Sequence, residues 1–109
     1  MRWPLGRVEV AGNSMLPALG PGDWLVVRWS ATSGRRIRSG AVVVLRRPDR
    51  PELLVVKRVG RVLDDGRLWV VGDNPAASDD SRLFGPVGPE SVVGRVLGRY
   101  RRAPDRSSA

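Results

Sequence analysis

The chain contains no cysteine and no histidine, and lysine supplies only one of its 19 basic residues. Without cysteine it cannot form disulfides or thiolate sites for zinc or iron–sulfur clusters. Without histidine it lacks the usual base of a Ser-His-Asp triad and the commonest metal ligand. A hydrolase built on this sequence must take its base from a carboxylate, a lysine or the chain's own amino terminus. Neither a metal site nor a cofactor is predicted.

Long hydrophobic runs are also missing. The longest, Ala41–Leu45 and Leu53–Val56, fall far short of the roughly 18 apolar residues that a membrane span needs. The first ten residues contain no apolar stretch typical of a secretory signal. These absences predict a cytoplasmic protein without a transmembrane segment. Peripheral contact with a membrane surface through Trp3 or Trp29 stays open.

The formal net charge of +8 indicates an acidic partner, nucleic acid or an anionic membrane surface, or simply an arginine-rich solvated surface. A small basic β-barrel that binds RNA or DNA is therefore one candidate, and Arg35, Arg36 and Arg38 favour it. The chain has one Tyr and one Phe, and its four Trp residues are expected mainly in the core, so a base-stacking platform is missing. Nucleic acid is accordingly not expected as the partner.

Valine-rich segments separated by glycine and proline predict short strands joined by tight turns. The predicted fold is a single mainly β domain with a coiled, barrel-like sheet and few or no helices. It spans residues 7–100, between an N-terminal arm (1–6) and a basic tail (101–109). The predicted strands are Arg7–Ala11, Trp24–Trp29, Ala41–Arg46, Leu53–Leu63, Arg67–Val71 and Ser91–Tyr100.

Lys57 is the only lysine, and the other 18 of the 19 basic residues are arginine. Arginine cannot lose its proton in a protein, whereas a desolvated lysine can. Alternation along the predicted strand places Lys57 on one face with Val55 and Val59. Burial among such neighbours lowers a lysine pKa, as a general base requires. A chance survivor among the basic residues is the competing interpretation.

Two further segments contain polar side chains in patterns compatible with catalysis. The first, residues 12–17, places Ser14 on a tight turn directly after a strand, where its hydroxyl and a backbone N–H could face a carbonyl. The second, residues 72–82, is rich in Asp and Ser but lacks the ligand alternation of a calcium loop. It is better explained as a rigid loop closed by Asp80 and Arg82. Either segment alone is also ordinary turn chemistry.

Together these segments resemble a known family. The chain contains Gly-Asn-Ser-Met-Leu-Pro-Ala-Leu, then Val-Lys-Arg-Val, then Gly-Asp-Asn-Pro-Ala-Ala-Ser-Asp-Asp-Ser-Arg. In that order they resemble the boxes of type I signal peptidases, which use a Ser/Lys dyad. The resemblance implies a serine endopeptidase with Ser14 as nucleophile and Lys57 as base. It further implies that Ser78 orients the lysine while Asp80 and Arg82 form a supporting ion pair.

The chain departs from that pattern before the nucleophile. Gly12 stands where many family members carry a hydroxyl residue, so backbone N–H groups, including that of Ser14, must bind the oxyanion. An extended substrate is expected to pair with strand edges near Val8–Ala11 and Leu53–Val56. The residues expected to contact it are Val10, Ala11, Val55 and Val56.

Because the chain is short, it most resembles soluble peptidases that remove the N-terminal propeptide of nickel-type superoxide dismutase. That precursor is therefore the expected substrate, and membrane-associated, signal peptidase-like processing of other precursors is the alternative. Self-cleaving domains of SOS-response repressors use a related Ser/Lys pair. They need a cleavage segment that folds back into the site, and only 13 residues precede Ser14.

Overall fold

A computed structural model describes residues 5–29 and 37–102. Trp3, Arg35 and Arg36, together with most of the predicted arm and tail, lie outside the described residues. Within these described ranges, six strands and three short helical segments follow one another. The strands are β1 (Leu5–Glu9), β2 (Trp24–Trp29), β3 (Val42–Arg47), β4 (Arg50–Val62), β5 (Leu68–Val71) and β6 (Val92–Arg101). A four-residue helix, α1 (Ser81–Phe84), and the 3₁₀ turns Pro75–Ala77 and Pro89–Ser91 complete the described elements.

The strands form one antiparallel sheet in the order β1-β2-β6-β3-β4-β5. The mainly β prediction is confirmed, and every predicted strand overlaps an observed one. The sheet is open, since no ladder joins β1 to β5 within the described parts of the chain. Irregularities in register interrupt four of the five ladders, and they bend the strands as bulges do.

Alternating side chains of β3 enter two separate hydrophobic clusters. Val43 and Leu45 lie in the first, with residues of β4, β5 and β6, whereas Val44 lies in the second, with residues of β2. Apolar side chains therefore cover both faces of this strand, as its central position in the sheet requires. The partner strand β4 packs against the first cluster with the face that carries Lys57, because Val55 and Val59 of that face belong to or contact this cluster.

Trp29 covers part of the inner face of the sheet where β1, β2 and β6 are neighbours. A side chain at Gly6 or Gly94 would overlap the indole of Trp29, so the indole lies directly against the glycine backbones. Trp29 packs with the second cluster, as expected for a core tryptophan.

Within residues 5–29 and 37–102, no helix has the length and apolar character to span a membrane.

Candidate functional site

Ser14 lies on a turn directly after β1. The N–H of Leu16 donates to the carbonyl of Asn13 at 3.2 Å, and the N–H of Leu19 donates to the carbonyl of Met15 at 2.9 Å. Gly12 has φ of +82°, a conformation that glycine adopts without strain. The side chain of Met15 is 1% exposed and anchors the turn. Ser14 itself is half-buried, so its hydroxyl remains within reach of a ligand.

Lys57 lies on β4 opposite Val43 of β3, and it is only 4% exposed. Its ammonium donates to Ser78 Oγ at 3.1 Å. Burial lowers the pKa of Lys57 from its usual value, although the carboxylates of Asp80 and Asp79 act in the opposite direction. The only lysine of the chain is thus a buried amine that loses its proton more easily than a solvated one.

Ser78 connects Lys57 to a buried carboxylate. Its hydroxyl donates to Asp80 Oδ2 at 2.7 Å, and the N–H of Gly72 donates to the same oxygen at 2.8 Å. The guanidinium of Arg82 donates to both carboxylate oxygens of Asp80. Burial alone would raise the pKa of Asp80, but the hydrogen bonds from Arg82, Gly72 and Ser78 outweigh it and hold this pKa well below its usual range. Asp80 therefore remains an anion with 0% exposure.

The loop that carries Ser78 is attached to the Ser14 turn. The backbone N–H of Asn74 donates to the carbonyl of Ser14 at 2.8 Å, and its side-chain amide donates to the carbonyl of Asn13 at 3.1 Å. Gly72 permits this approach, because a Cβ there would lie 2.5 Å from the Ser14 carbonyl oxygen. Two segments about 60 residues apart in sequence are thereby fixed relative to each other.

Sequence reasoning missed the ion pair between Arg58 and Asp73. The guanidinium donates from Nε and Nη2 to the two carboxylate oxygens, each at 2.8 Å, and its Nη1 donates to the carbonyl of Gly40 at 2.9 Å. The adjacent Lys57 and Arg58 therefore contact the same loop at two points, Ser78 and Asp73, because alternation directs them to opposite faces of β4.

A cleft of about 150 Å³ brings the predicted catalytic and substrate-contacting residues together. Ser14 and Lys57 both line it, and Gly12 lies on the adjoining turn, outside the lining. Two walls enclose the cleft, one from the end of β1 with the Ser14 turn and one from β4. Their residues are Val8, Glu9, Val10, Ala11 and Met15 on the first wall, and Leu54, Val55 and Val56 on the second.

Hydrogen-bond groups for an extended peptide remain beside this cleft. The N–H and carbonyl of Val10 bond Asp23 and Gly22, away from the cleft. Backbone groups of successive residues in a strand point to opposite sides, so those of Glu9, the last residue of β1, point toward it. On the other wall, β5 pairs only with residues from Arg58 onward, which leaves one edge of Val55 and Val56 outside that ladder. Among the residues that the structure describes, no group of three acidic side chains could hold a metal ion.

The chain is similar to known proteases. The family model described as Peptidase S24-like matches residues 4–96. A mitochondrial ATP-independent inner membrane protease subunit 1a from Arabidopsis thaliana is 32% identical over 88% of this chain and 70% of its own length. A mitochondrial inner membrane protease subunit 2 from Schizosaccharomyces pombe is 32% identical over 85% of this chain, which spans 62% of that relative's length. A subunit 2 from Saccharomyces cerevisiae is 26% identical over 82% of this chain and 64% of its own length.

These relatives correct two expectations. The predicted cytoplasmic location is wrong, because the similar proteins are inner membrane protease subunits. That prediction rested on a missing apolar run, which does not indicate where a peptidase domain works. The nearer resemblance to a nickel superoxide dismutase peptidase is likewise unsupported, since the matching relatives are membrane proteases. That resemblance rests on a short chain without a membrane-spanning run, and neither feature carries information about the substrate.

Proposed function

Because this chain belongs to the Peptidase S24-like family, we propose that it is a serine endopeptidase with Ser14 as nucleophile and Lys57 as general base. The observation that carries the proposal is that Ser14 and a buried Lys57 line one cleft, with the amine oriented by Ser78. Lysine can replace histidine as a base when its neutral form is accessible, and the burial of Lys57 favours that form.

The proposed reaction begins with neutral Lys57 taking the proton from Ser14 Oγ as that oxygen attacks the scissile carbonyl carbon. The carbonyl oxygen becomes an oxyanion, which the backbone N–H of Ser14 and a neighbouring amide stabilise. Lys57 then donates its proton to the leaving nitrogen, and the C–N bond breaks to give an acyl-enzyme. Water attacks the acyl carbon while Lys57 takes its proton, and the proton returns to Ser14 as the ester bond breaks.

Substrate is proposed to bind as an added strand between the two walls of the cleft. Main-chain hydrogen bonds to Glu9 and Ala11 on one wall and to Val55 or Val56 on the other would hold it extended across Ser14. Val10 and Met15 line the same cleft and narrow it. A cleft of about 150 Å³ admits only short side chains beside the scissile bond.

We further propose that the substrates are protein precursors processed at a membrane. The named relatives are inner membrane proteases, which supports this class more than it supports a nickel superoxide dismutase precursor. The chain spans 62% and 61% of two of the subunit 2 relatives, so their complete activity is not carried over. Cleavage of the nickel superoxide dismutase precursor stays a prediction from resemblance.

The test uses a proteome-derived library of denatured polypeptides, in which new N-termini are labelled after digestion and identified by mass spectrometry. A shared pattern of small residues before the cleaved bonds is expected from the unmodified protein. Ser14→Ala and Lys57→Met should each reduce cleavage at least about 10⁴-fold, because both groups act in one reaction unit. Ser39→Ala is the matched control, since Ser39 hydrogen-bonds the carbonyl of Gly60, away from the cleft.

The nickel superoxide dismutase precursor and in vitro synthesised membrane-protein precursors form separate arms, read by intact mass. Cleavage of membrane-protein precursors alone supports the proposed class, and cleavage of the dismutase precursor alone supports the resemblance-based substrate instead. Undiminished cleavage by Ser14→Ala would overturn the mechanism, since activity would then come from another group or a contaminant.

A further inference from the structure

The outer face of β1, β2 and β6 carries a regular array of side chains. Leu25 and Val27 point inward and are 0% exposed, so alternate residues of β2 point outward. The register places three rows of residues across this outer face. The rows are Leu5, Arg28 and Arg95; Arg7, Val26 and Gly98; and Glu9, Trp24 and Arg101. Four arginines therefore share the surface with a single carboxylate.

The arginines of this face form no ion pair, which they share with Arg46, Arg50 and Arg61 but not with five other arginines of the described residues. Arg47, Arg58, Arg67, Arg82 and Arg99 each form an ion pair with an aspartate. Within residues 5–29 and 37–102, no carboxylate forms an ion pair with Arg7, Arg28, Arg95 or Arg101. All four are exposed. Their positive charge is consequently available to an external anion.

Aromatic rings lie among these charges. The guanidinium of Arg7 is 5.9 Å from the ring centroid of Trp24, and the ring of Tyr100 is 6.5 Å from the same indole. Tyr100 is 47% exposed. Tryptophan and tyrosine favour the headgroup region of a bilayer, where one part of the ring is apolar and the other is hydrated. Because Arg7 and Tyr100 flank the indole, its ring is less available as a stacking platform for bases.

We propose that this outer face docks onto an anionic lipid surface. Arg7, Arg28, Arg95 and Arg101 would contact lipid phosphates, while Trp24 and Tyr100 enter the headgroup layer. The inference deepens the proposed function and rests on it in one respect: β1 carries Arg7 and Glu9 and ends in the wall of the cleft. Docking of this face would hold Ser14 beside the membrane, where precursor segments emerge.

The experiment measures cosedimentation of the full chain with phosphatidylcholine vesicles, with or without about 30 mol% phosphatidylglycerol. All proteins carry Ser14→Ala, so that binding is measured apart from catalysis. Binding is expected only to the anionic vesicles and should weaken as salt rises from about 50 to about 500 mM. The double variant Arg28→Glu/Arg95→Glu should lower the partition coefficient at least about 25-fold, since each basic residue near such a surface contributes about fivefold.

The matched control is Arg50→Glu/Arg61→Glu, which makes the same charge change at exposed positions of β4. It should retain most of the binding, and Arg28→Lys/Arg95→Lys should too, because docking depends on charge. Thermal melts establish that each variant is folded. Equal losses in the patch and control variants would overturn the assignment of the surface and leave only general charge attraction.

Two further outcomes would overturn the lipid partner. If anionic vesicles do not bind but random single-stranded RNA binds through the same arginines, the face is a nucleic-acid surface. If neither binds, the docking proposal is wrong and an acidic protein becomes the next candidate. In proteins that retain Ser14, peptidase activity toward a soluble precursor should be unchanged by Arg28→Glu/Arg95→Glu. Failure of the proposed function would appear as absent cleavage by the unmodified protein, whether or not the vesicles bind.

Discussion

The backbone N–H of Asn74 donates a 2.8 Å hydrogen bond to the carbonyl oxygen of Ser14. This contact fixes the Ser14 turn to the loop whose Ser78 accepts a hydrogen bond from Lys57. It is possible because Gly72 lies between them without a side chain: a Cβ there would lie 2.2 Å from Ser78 Oγ and 2.5 Å from the Ser14 carbonyl oxygen. The relative position of the proposed nucleophile and base therefore depends on a glycine that does not take part in the chemistry.

Gly72→Ala should reduce kcat/KM about 100-fold or more, because displacement of reacting groups by about 1 Å has effects of that size. Gly98→Ala is the control, since a Cβ at Gly98 meets no atom within 4 Å. Steady-state kinetics on one cleavable peptide would compare the two variants, with circular dichroism melts to show that both are folded. Equal activity of Gly72→Ala and the unmodified protein would show that the contact does not position the dyad.

The pH dependence of cleavage should follow the deprotonation of Lys57. Since burial lowers this pKa, kcat/KM should rise with pH through an apparent pKa below the 10.5 of a solvated lysine. Protein stability should follow the same group. Between the lowered pKa of the folded state and 10.5, the unfolded chain binds more protons, so the free energy of unfolding rises with pH. Lys57→Met should remove this rise, and denaturant unfolding at several pH values would measure it.

At a neutral pH, Lys57→Met should also leave stability unchanged or raise it by about 1 kcal/mol, because an apolar side chain needs no desolvation of a charge. A clear loss of stability across the whole pH range would instead indicate that the Lys57–Ser78 contact stabilises the fold. The two results thus separate a base retained for reaction from a lysine retained for structure.

Strand positions could be predicted from the sequence because alternation and turn residues are local signals. The prediction for β1 is wrong at its end: alternation places Val10 in the strand, but its backbone groups bond Gly22 and Asp23 at the end of a turn. β4 begins earlier than predicted, because the Pro48–Asp49 turn is tight and Arg47 already pairs with Arg50. The sequence does not predict whether the sheet closes into a barrel or stays open, because this depends on the summed twist and bending of all six strands.

The proposed dyad could be anticipated because a single lysine and a serine turn are visible in the sequence. The Arg58–Asp73 pair could not, since it requires knowing that Arg58 of β4 lies opposite Val71, two residues before Asp73. The same is true of the 3.3 Å contact between Arg47 and Asp79. Sequence motifs indicate the candidate reacting residues, whereas the partners that position these residues depend on strand register.

Asp79→Asn and Arg47→Gln should shift the pH profile in opposite directions. The carboxylate of Asp79 raises the pKa of Lys57 and the guanidinium of Arg47 lowers it. The first variant should therefore move the ascending limb of kcat/KM to lower pH and the second to higher pH. Because Asp79 is 61% exposed, both shifts should be small and should shrink as salt rises from about 50 to about 500 mM. Shifts in the same direction would point to movement of the Ser78 loop.

Asp80→Asn should lower the free energy of unfolding by about 2 kcal/mol, because the buried oxygen that accepts from Gly72, Ser78 and Arg82 loses its charge. The guanidinium of Arg82 remains 44% exposed and can be hydrated, so the loss should stay below the 3–5 kcal/mol or so of a fully buried broken pair. Asp65→Asn, in an exposed ion pair with Arg67, is the control and should change the melting temperature less.

The stability difference between Asp80→Asn and the unmodified protein should also depend on pH. Asp80 has a pKa below its ordinary 3.8 in the folded state, so its contribution is complete above that value and is lost as pH falls through the lowered pKa. Denaturant unfolding at a series of pH values should give a constant difference above about pH 5 that narrows below about pH 4. A constant difference down to the lowest pH at which the protein stays folded would mean that the asparagine disturbs packing rather than removing a stabilising charge.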